Sequence, residues 1–595
     1  MLFSVLACVL QDPYVRLHDD VVRPLARPGA SAPAEDGRTF AYPPPCDARA
    51  AGRHGESLGG AATLNPVAFA NPATVFAGGP NGARAAFVAQ VSGAVRNQGV
   101  FVHDGTSLAP IALGSGALGG GGSTGTAGDP APLGGNFSGF FTGTVFAPAV
   151  NVQGDVLLLA DVFGGSAPRG LFLFRAASAD IVTVAAVGDP SPLGGVLARV
   201  GPGSLSDAGT VVFLASEASS GGSDILRWQA GTLSTIAAAG DFSPHGSPYQ
   251  FLGTESFGFV DGTDIPVGPL PDIDAAGNVV FRAITADGRR GIVHHDEFDT
   301  EVWLVRDQDA APGGGTFLDL QGAMLNARGE IAFFADVRLG PASFTAGWFA
   351  GANGNWRAGV RFGEALGGGT ANGLAFSRNP MSPLDDEGNL LQWVDVLLAG
   401  GGTREHLVVC APDGARTVVA RRNDATPLGG TYTSFDAWPS LVPAGQPGRG
   451  AYGSGLGRVP GVFSAHFLFE ACPAARATPR NGSGSNATCF AADPPVLASS
   501  WSATVDAGLH PGATLTLILG HALPDAGTAT PFGELLVAQS SPRVLLSRVA
   551  GSGLTVHTAS VPADLALLGQ GAALQAVLVG NGVELCNAVD VVLGY

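Results

Sequence analysis

Lysine is absent from this chain of 595 residues, and all 31 basic residues are arginine. Acidic residues outnumber them at 49, which gives a formal net charge of −18 at pH 7. A chain of this charge is repelled at long range by phosphate backbones and by anionic lipid surfaces. Long hydrophobic runs are also absent, because no apolar stretch approaches the ~20 residues that a transmembrane helix needs. We therefore expect no nucleic-acid partner and no transmembrane helix.

Charged residues of either sign are scarce, at 13% of the chain, whereas 46% of the residues are hydrophobic and there are 89 Gly and 42 Pro. This composition favours short strands joined by tight turns over helices. The HExxH and CxxC spacings that hold zinc are missing. The string Gly55–Gly59 matches the nucleophile elbow of α/β-hydrolases, but no helical period follows it. The composition therefore predicts an all-β protein without a zinc site or a hydrolase elbow.

The first residues, Met1–Leu10, are apolar and resemble the end of a secretory signal. We assign residues 1–12 to a residual signal or targeting segment and expect export. Two interpretations stay open: an ordinary signal peptide, or a lipoprotein signal in which Cys8 carries the lipid. Both predict a secreted or cell-envelope-associated protein, in which paired cysteines are allowed.

One stretch, Met324–Val337, shows the plan of a unit that recurs along the chain. Asn326 and Gly329 suit a tight turn, because Asn tolerates turn conformations and Gly adopts positive φ at little cost. The residues from Ile331 to Ala335 then alternate between two faces, at the two-residue period of a strand. Close copies begin at Asn151, Ser206 and Asp274, and weaker copies are centred on Phe87, Gln392 and Tyr452. The unit therefore recurs seven times, with strand centres 52–71 residues apart.

A second recurring motif is an acidic turn, as in Gly188–Gly195 (GDPSPLGG). An acid before Pro, with Gly close behind, is turn chemistry. The recurrent acids are Asp129, Asp189, Asp241, Asp309, Glu364 and Asp424. Equivalent turns of a repeat lie at one end, so we expect a ring of acids that binds a cation or a basic ligand. Local hydrogen bonding within each turn explains the same acids without any ligand.

No cofactor is expected, with Ca²⁺ as the one alternative. The acidic insertion that contains Asp261 and Asp264 offers oxygen ligands of the kind that Ca²⁺ prefers. A solvated acidic loop is the interpretation that we prefer, because carboxylates favour turns without a metal.

Four short strands per unit and largely apolar strand faces predict a seven-bladed β-propeller over residues 15–473. The last unit lacks an outer strand, and we expect the N-terminal segment Val21–Phe40 to pair with the blade of Tyr452 and Val462–Phe469 and close the ring. Residues 474–485 read as a linker. Residues 486–595 alternate in short strands and predict a smaller C-terminal β-sandwich-like domain.

The repeats resemble the bacterial family described as choice-of-anchor tandem repeat NxxGxxAF-containing proteins. Asn326, Gly329, Ala332 and Phe333 carry the resemblance, together with the Gly-Asp turns, and it extends over Val21–Ala471. The tail resembles a C-terminal module of many exported bacterial proteins. The resemblance implies export and association with the cell surface or envelope, and it brings no established activity and no catalytic residues.

Among the cysteines outside the targeting segment, we predict that Cys489 pairs with Cys586. Such a bond would tie the first and last segments of the C-terminal domain and stabilise it by about 4 kcal/mol. Cys472 with Cys489 is the alternative, and the pairing of Cys46 and Cys410 stays open.

Two functions follow from the sequence. The first is an exported, non-enzymatic binding or structural scaffold whose surface ligand is a polysaccharide or a protein. The second is an extracellular hydrolase or lyase that acts on polysaccharide or protein inside the propeller channel. Acids recur at equivalent turns, whereas His, Cys and Ser do not cluster in a catalytic spacing, so the sequence favours the scaffold.

Overall fold

The structure is a computed structural model. It describes residues 47–594 apart from residues 54–56, 60–61, 66–72, 76–83, 93, 104–106, 117–125, 141–147, 218–222, 254–258, 261–262, 265–269, 342, 367, 375–383, 427, 429, 436–439, 442–448, 459–463, 471–474, 498, 539–542 and 563–569. The described residues fall into two compact units, with the boundary between residues 471 and 472.

The first unit consists of seven antiparallel sheets, which we number I to VII in chain order. Sheet I contains β2 (Ser57–Gly59), β3 (Ala62–Asn65), β4 (Ala73–Val75), β5 (Arg84–Ser92), β6 (Gln98–His103) and β7 (Leu108–Gly114). Sheet II contains β8 (Asn136–Phe140), β9 (Ala149–Val150), β10 (Val156–Phe163), β11 (Arg169–Arg175) and β12 (Asp180–Ala186). Sheet III contains β13 (Leu197–Leu205), β14 (Val211–Glu217), β15 (Asp224–Gln229) and β16 (Thr232–Ala237).

Sheets IV to VII repeat the arrangement. They contain β17 (Tyr249–Leu252), β20 (Asp272–Ile273), β21 (Val279–Thr285), β22 (Arg290–His295) and β23 (Glu301–Arg306); β24 (Thr316–Leu325), β25 (Ile331–Gly340), β26 (Ser343–Ala352) and β27 (Asn355–Arg361); β28 (Ala365–Leu366), β29 (Gly369–Leu374), β30 (Leu390–Leu398), β31 (Thr403–Cys410) and β32 (Arg416–Arg421); and β33 (Thr431–Phe435), β34 (Ser440–Leu441), β35 (Arg449–Gly457), β36 (Ser464–Glu470) and β1 (Asp47–Arg53). A separate hairpin, β18 (Phe259–Val260) with β19 (Thr263–Asp264), lies in the insertion of sheet IV.

Consecutive sheets pack face to face through shared apolar cores. Phe172 joins a core with Val100 of sheet I, and Phe213 joins one with Leu171 of sheet II. The same pattern links sheet III to IV, IV to V and V to VI. The second strand of sheet III, β14, is buried along its whole length. Sheets that are covered on both faces by their neighbours in sequence form the radial arrangement of a β-propeller.

An N-terminal strand completes sheet VII. Strand β1 runs antiparallel to β36, with Asp47 opposite Glu470 and Arg53 opposite Ala465. The segment predicted for this place, Val21–Phe40, lies outside the described residues, and Asp47–Arg53 is the segment that pairs there. In the same unit, β4 of sheet I contacts β34 of sheet VII.

The second unit is a two-sheet sandwich. Its larger sheet has the order β37 (Arg476–Arg480), β46 (Val583–Val592), β45 (Gly571–Val579), β40 (Leu515–His521) and β43 (Arg543–Val549), and its smaller sheet has the order β38 (Phe490–Ala492), β39 (Ser500–Asp506) and β44 (Leu554–Ser560). A hairpin of β41 (Pro524–Thr530) and β42 (Gly533–Val537) completes it. Trp501, Ile518 and Val589 belong to one core that both sheets share.

The prediction of a linker over residues 474–485 is wrong for residues 476–480. Residues Arg476–Arg480 form β37 and pair with β46, so they belong to the sandwich. Pro479 is tolerated because β37 is an edge strand, where a missing N–H costs nothing on the open side. Within the described residues, no helix is long and apolar enough to cross a bilayer, and the short 3₁₀ turn at Ala507–Leu509 is not one.

Cys489 and Cys586 form a disulfide, with Cα atoms 5.4 Å apart, and this is the pair that the sequence favours. Cys472 lies outside the described residues. Cys410 is a free, buried thiol in sheet VI, and burial raises its pKa to about 12. The bond closes a loop of 97 residues and constrains most of the second unit in its unfolded state.

We predict that replacing Cys489 and Cys586 together by Ser lowers the free energy of unfolding of the second unit by about 2–5 kcal/mol, because the unfolded chain regains loop entropy. Differential scanning calorimetry of the full chain measures this as a lower melting temperature for one transition. Cys410→Ala is the matched control, since it opens a small cavity in sheet VI and affects the first unit alone. Equal effects of the two changes on both transitions would contradict the assignment.

Candidate functional site

The acidic turns join the last strand of one sheet to the first strand of the next. In four of them a carboxylate oxygen accepts the backbone N–H of the residue three positions earlier, at 2.7–3.0 Å; these acids are Asp189, Asp241, Asp309 and Glu364. Asp129 instead accepts from Leu113 N, at the end of β7. The carbonyl of each of the six acids accepts an N–H from the following sheet, as Asp189 O does from Leu197. These acids therefore connect each sheet to the next through hydrogen bonds.

Arginines neutralise several of the same acids. Asp129 pairs with Arg96, and Glu364 pairs with Arg416 at 2.7 Å. Asp424 differs from the other five, because its carboxylate accepts from Arg404 at 2.7 Å and from Arg421 at 2.9 Å. The ion pairs and turn hydrogen bonds explain the recurrence of the acids without a shared ion.

Of the two predicted calcium ligands, Asp261 lies outside the described residues and Asp264 is the last residue of β19. In the part of the chain that the structure describes, no group of three or more His, Cys, Asp or Glu residues is arranged to hold a metal ion. Binding of Ca²⁺ stays a prediction.

The hairpins that begin each recurrent unit lie at the opposite end of the sheets, and their Asn residues link neighbours. Asn326 Oδ1 accepts from Glu330 N at 2.9 Å, while its Nδ2 donates to Asp385 O of sheet VI at 2.9 Å. Asn151 makes the same two bonds, to Asp155 N and to Ser206 O of sheet III. Asn151 and Asn326 are both buried. The sequence marked these residues as turn formers only, and their inter-sheet role was missed.

We predict that Asn326→Ala lowers the free energy of unfolding of the first unit by about 2–3 kcal/mol, because buried partners in two sheets lose their hydrogen bonds. Ser206→Ala is the control. The Ser206 side chain accepts from Thr210 N within its own hairpin, so its loss should cost about 1 kcal/mol. Chemical denaturation of both variants measures the difference. Equal costs would show that the inter-sheet bond contributes nothing.

A buried carboxyl lies where β15 begins in sheet III. Asp224 is 2% exposed; burial raises its pKa from 3.8 to about 6, and Glu217 and Asp241 add to the rise. Its Oδ1 accepts from Ala239 N at 3.2 Å. Among the described residues Oδ2 has no hydrogen-bond partner. Ionising this group therefore costs free energy in the folded state.

We predict that Asp224→Asn makes the protein more stable than the unchanged chain at pH 8 and not at pH 4. An acid whose pKa is raised on folding contributes stability below its unfolded pKa, and that contribution is lost as the pH rises through about 6. The lost amount is up to about 3 kcal/mol from the shift in pKa. Melting temperatures from pH 4 to 8 test this, and a constant difference between the two proteins would contradict it.

A buried group of three residues of the type used in catalysis lies within sheet IV. Tyr249 donates to Glu301 Oε2 at 2.8 Å, and His295 Nδ1 lies 3.6 Å from Glu301 Oε1. Burial and Glu301 together raise the pKa of Tyr249. Tyr249 and His295 are 2% and 4% exposed, so a substrate does not reach them. This group is part of the core.

An accessible charged group lies where β21 and β22 of sheet IV contact β24 of sheet V. Together with Asp336 of β25, we call it the acid–arginine cluster: Arg282, Arg290, Asp319, Gln321 and Asp336. Arg282 is buried and donates to Asp319 Oδ1 at 3.0 Å and to Leu320 O at 2.6 Å. Arg290 lies 3.5 Å from the same carboxylate oxygen, and Gln321 Nε2 donates to Asp319 Oδ2 at 3.1 Å.

Two carboxyls of the cluster differ in proton affinity. Burial raises the pKa of Asp319, but Arg282 and Arg290 outweigh burial and hold it below its usual value. Burial and the neighbouring charge of Asp319 raise the pKa of Asp336. Asp319 and Asp336 are direct cross-strand partners. The arrangement is one ionised carboxylate, fixed by arginines, beside an exposed carboxyl that holds its proton more tightly.

Residues 84–447 match the family described as "Family of unknown function (DUF7453)". No curated protein matches the chain. Among solved structures, the Trypanosoma rangeli sialidase is 10% identical, with 91% of this chain and 93% of that chain covered, at a TM-score of 0.27. The six-bladed fungal lectin of Aleuria aurantia is 12% identical, with 60% and 97% covered, also at 0.27. A gluconolactonase from Xanthomonas campestris is 13% identical, with 55% and 84% covered, at 0.25. Likenesses at these TM-scores do not decide a function.

Proposed function

The chain belongs to the DUF7453 family, whose function is unknown, and we propose that it is a non-enzymatic binding scaffold exported to the surface or envelope of a bacterial cell. The repeats form a seven-bladed propeller with one blade per sheet, and the N-terminal strand β1 closes the ring. Contact between β4 of the first blade and β34 of the last supports closure. The apolar start of the chain and the resemblance to choice-of-anchor repeats support export.

The observation that carries the proposal is where the propeller exposes large apolar side chains. We call the end of the sheets that holds the acidic turns the Asp-turn end, and the other the hairpin end. Among the described residues of the first unit, nine such side chains lie at the Asp-turn end: Val95, Phe163, Leu193, Val196, Phe242, Leu339, Phe344, Phe362 and Leu397. Two, Phe298 and Val302, lie at the hairpin end. Exposed apolar surface rimmed by polar groups is typical of interaction sites.

The alternative is a hydrolase or lyase that acts on polysaccharide or protein. The pair of Asp319 and Asp336 favours it, because carboxyls of unequal proton affinity are candidates for general acid–base catalysis. Asp319, however, already accepts hydrogen bonds from Arg282 and Gln321. A carboxylate held in this way is a weak base, so binding is the function that the geometry supports better.

We predict that bacterial cell-envelope fragments retain the full-length protein in co-sedimentation, and that Leu193→Ser with Phe242→Ser lowers retention at least fivefold. Phe298→Ser is the matched control, because Phe298 is 79% exposed at the hairpin end. Removal of apolar contact area is the physical reason for the loss.

Equal retention of all three proteins would contradict a binding face at the Asp-turn end. Absence of retention would exclude an envelope ligand. Release of soluble sugar or peptide from the fragments, absent from a protein-free sample, would overturn the non-enzymatic function.

A further inference from the structure

The acid–arginine cluster departs from the repeat at two paired positions. Asp161, Asp336 and Asp395 follow the Ala or Val that ends the recurrent strand pattern in sheets II, V and VI. The partners of Asp161 on β8 and of Asp395 on β29 are glycines, whereas the partner of Asp336 on β24 is Asp319. Like charges directly opposite each other destabilise a sheet. The destabilising pair of acids in sheet V therefore requires an explanation that does not apply to sheets II and VI.

The neighbouring sheet departs from the repeat in a matching way. The strand position of Arg282 holds an apolar residue in sheets II, III and V, namely Leu159, Leu214 and Phe334. Arg282 is 5% exposed, and a buried charge is costly unless it is paired. Its guanidinium reaches across to sheet V and holds Asp319. The arginine in sheet IV and the acid in sheet V, both departures from the repeat, therefore balance each other's charge, and this pairing keeps Asp319 ionised.

Comparison with the equivalent residue of sheet II shows that the Asp336 side chain is open to a ligand. Its equivalent Asp161 pairs across the sheet with Arg169 at 2.8 Å. Asp336 faces Ala346 instead, and it is exposed. In the described part of the chain, the side chain of Asp336 makes no hydrogen bond and no ion pair with another residue. A carboxyl placed beside a fixed carboxylate and open to solvent is ready to exchange hydrogen bonds with a ligand.

An aromatic ring lies on the same side of sheet V. Asp336 and Arg338 are two positions apart on β25, and Phe344 is the direct partner of Arg338 on β26, so the three side chains share one face. Phe344 is 55% exposed, and the Arg338 guanidinium carbon lies 5.9 Å from its ring centre. Charged hydrogen-bonding groups therefore adjoin an exposed ring at the Asp-turn end.

We propose that Asp336, Asp319, Arg290 and Phe344 form a binding site for a neutral saccharide. The inference rests on the proposed function and names the ligand class of its binding face. Adjacent hydroxyls donate to the two carboxyl groups, and Arg290 donates to a ring or hydroxyl oxygen of the sugar. The C–H face of the sugar packs on Phe344, whose ring supplies apolar area at low entropic cost. Few polar groups around one apolar contact are typical of small-ligand sites.

The test is titration of the full-length protein with linear neutral hexasaccharides of glucose, mannose, galactose and xylose by isothermal calorimetry. We expect at least one to bind, and Asp336→Asn to weaken that binding at least tenfold, because a carboxylate acceptor becomes an amide. Asp161→Asn is the matched control at the equivalent position and should change the affinity less than twofold. Thermal melting verifies that both variants fold.

The outcomes separate this inference from the proposed function. Binding to none of the four hexasaccharides, or equal weakening by both Asn variants, would overturn the saccharide site. Weakening by Leu193→Ser with Phe242→Ser but not by Asp336→Asn would keep the binding face and reject this site on it. Cleavage of a bound hexasaccharide that is lost in Asp336→Asn would keep the site and overturn the non-enzymatic function.

Discussion

Burial of both faces is the constraint on which sheets II to V of the first unit depend. Consecutive sheets share apolar cores, as Phe281 does with Val212 and Phe333 with Val280. A sheet covered in this way has no polar face, so its side chains contribute stability chiefly through apolar area removed from water. The recurrent polar motifs lie at the two ends of the sheets, and each end uses them differently.

At the hairpin end, buried amides join one sheet to the next. Asn151 and Asn326 satisfy their own hairpins and also donate to a carbonyl in the following sheet. At the Asp-turn end, acids bond to the strand before them and offer a carbonyl to the strand after them. Both devices give polar groups at the sheet ends hydrogen-bond partners, which a low-dielectric core requires. The recurrent motifs of the sequence thus supply the hydrogen bonds that connect neighbouring sheets.

The acid–arginine cluster departs from this pattern, because it places a buried charge within a strand. Arg282 occupies an apolar position of the repeat, and its charge is balanced by Asp319 in a different sheet. Arg282 needs Asp319 in this place, because an isolated buried charge is heavily penalised. Departures of this kind from an otherwise consistent repeat are expected at functional sites. The exposed neighbours Asp336 and Phe344 extend the cluster to solvent.

Much of the fold was predictable, because strand period and turn chemistry are local properties of the chain. The recurrence from Asn151 to Asp385 placed the hairpins, and the alternation that follows each one placed a buried strand. Edge strands were the exception. Asp47–Arg53 and Arg476–Arg480 carry no alternating apolar pattern, and backbone pairing to β36 and β46 makes them strands.

The site was less predictable, for the same physical reason. The sequence by itself determined which residues are turn formers, which are apolar and which carry charge. It did not determine that Arg282 reaches Asp319, 37 residues away, or that Asn326 donates to Asp385, 59 residues away. The tertiary structure decided those contacts, because they form between sheets whose spacing and register depend on how neighbouring sheets pack.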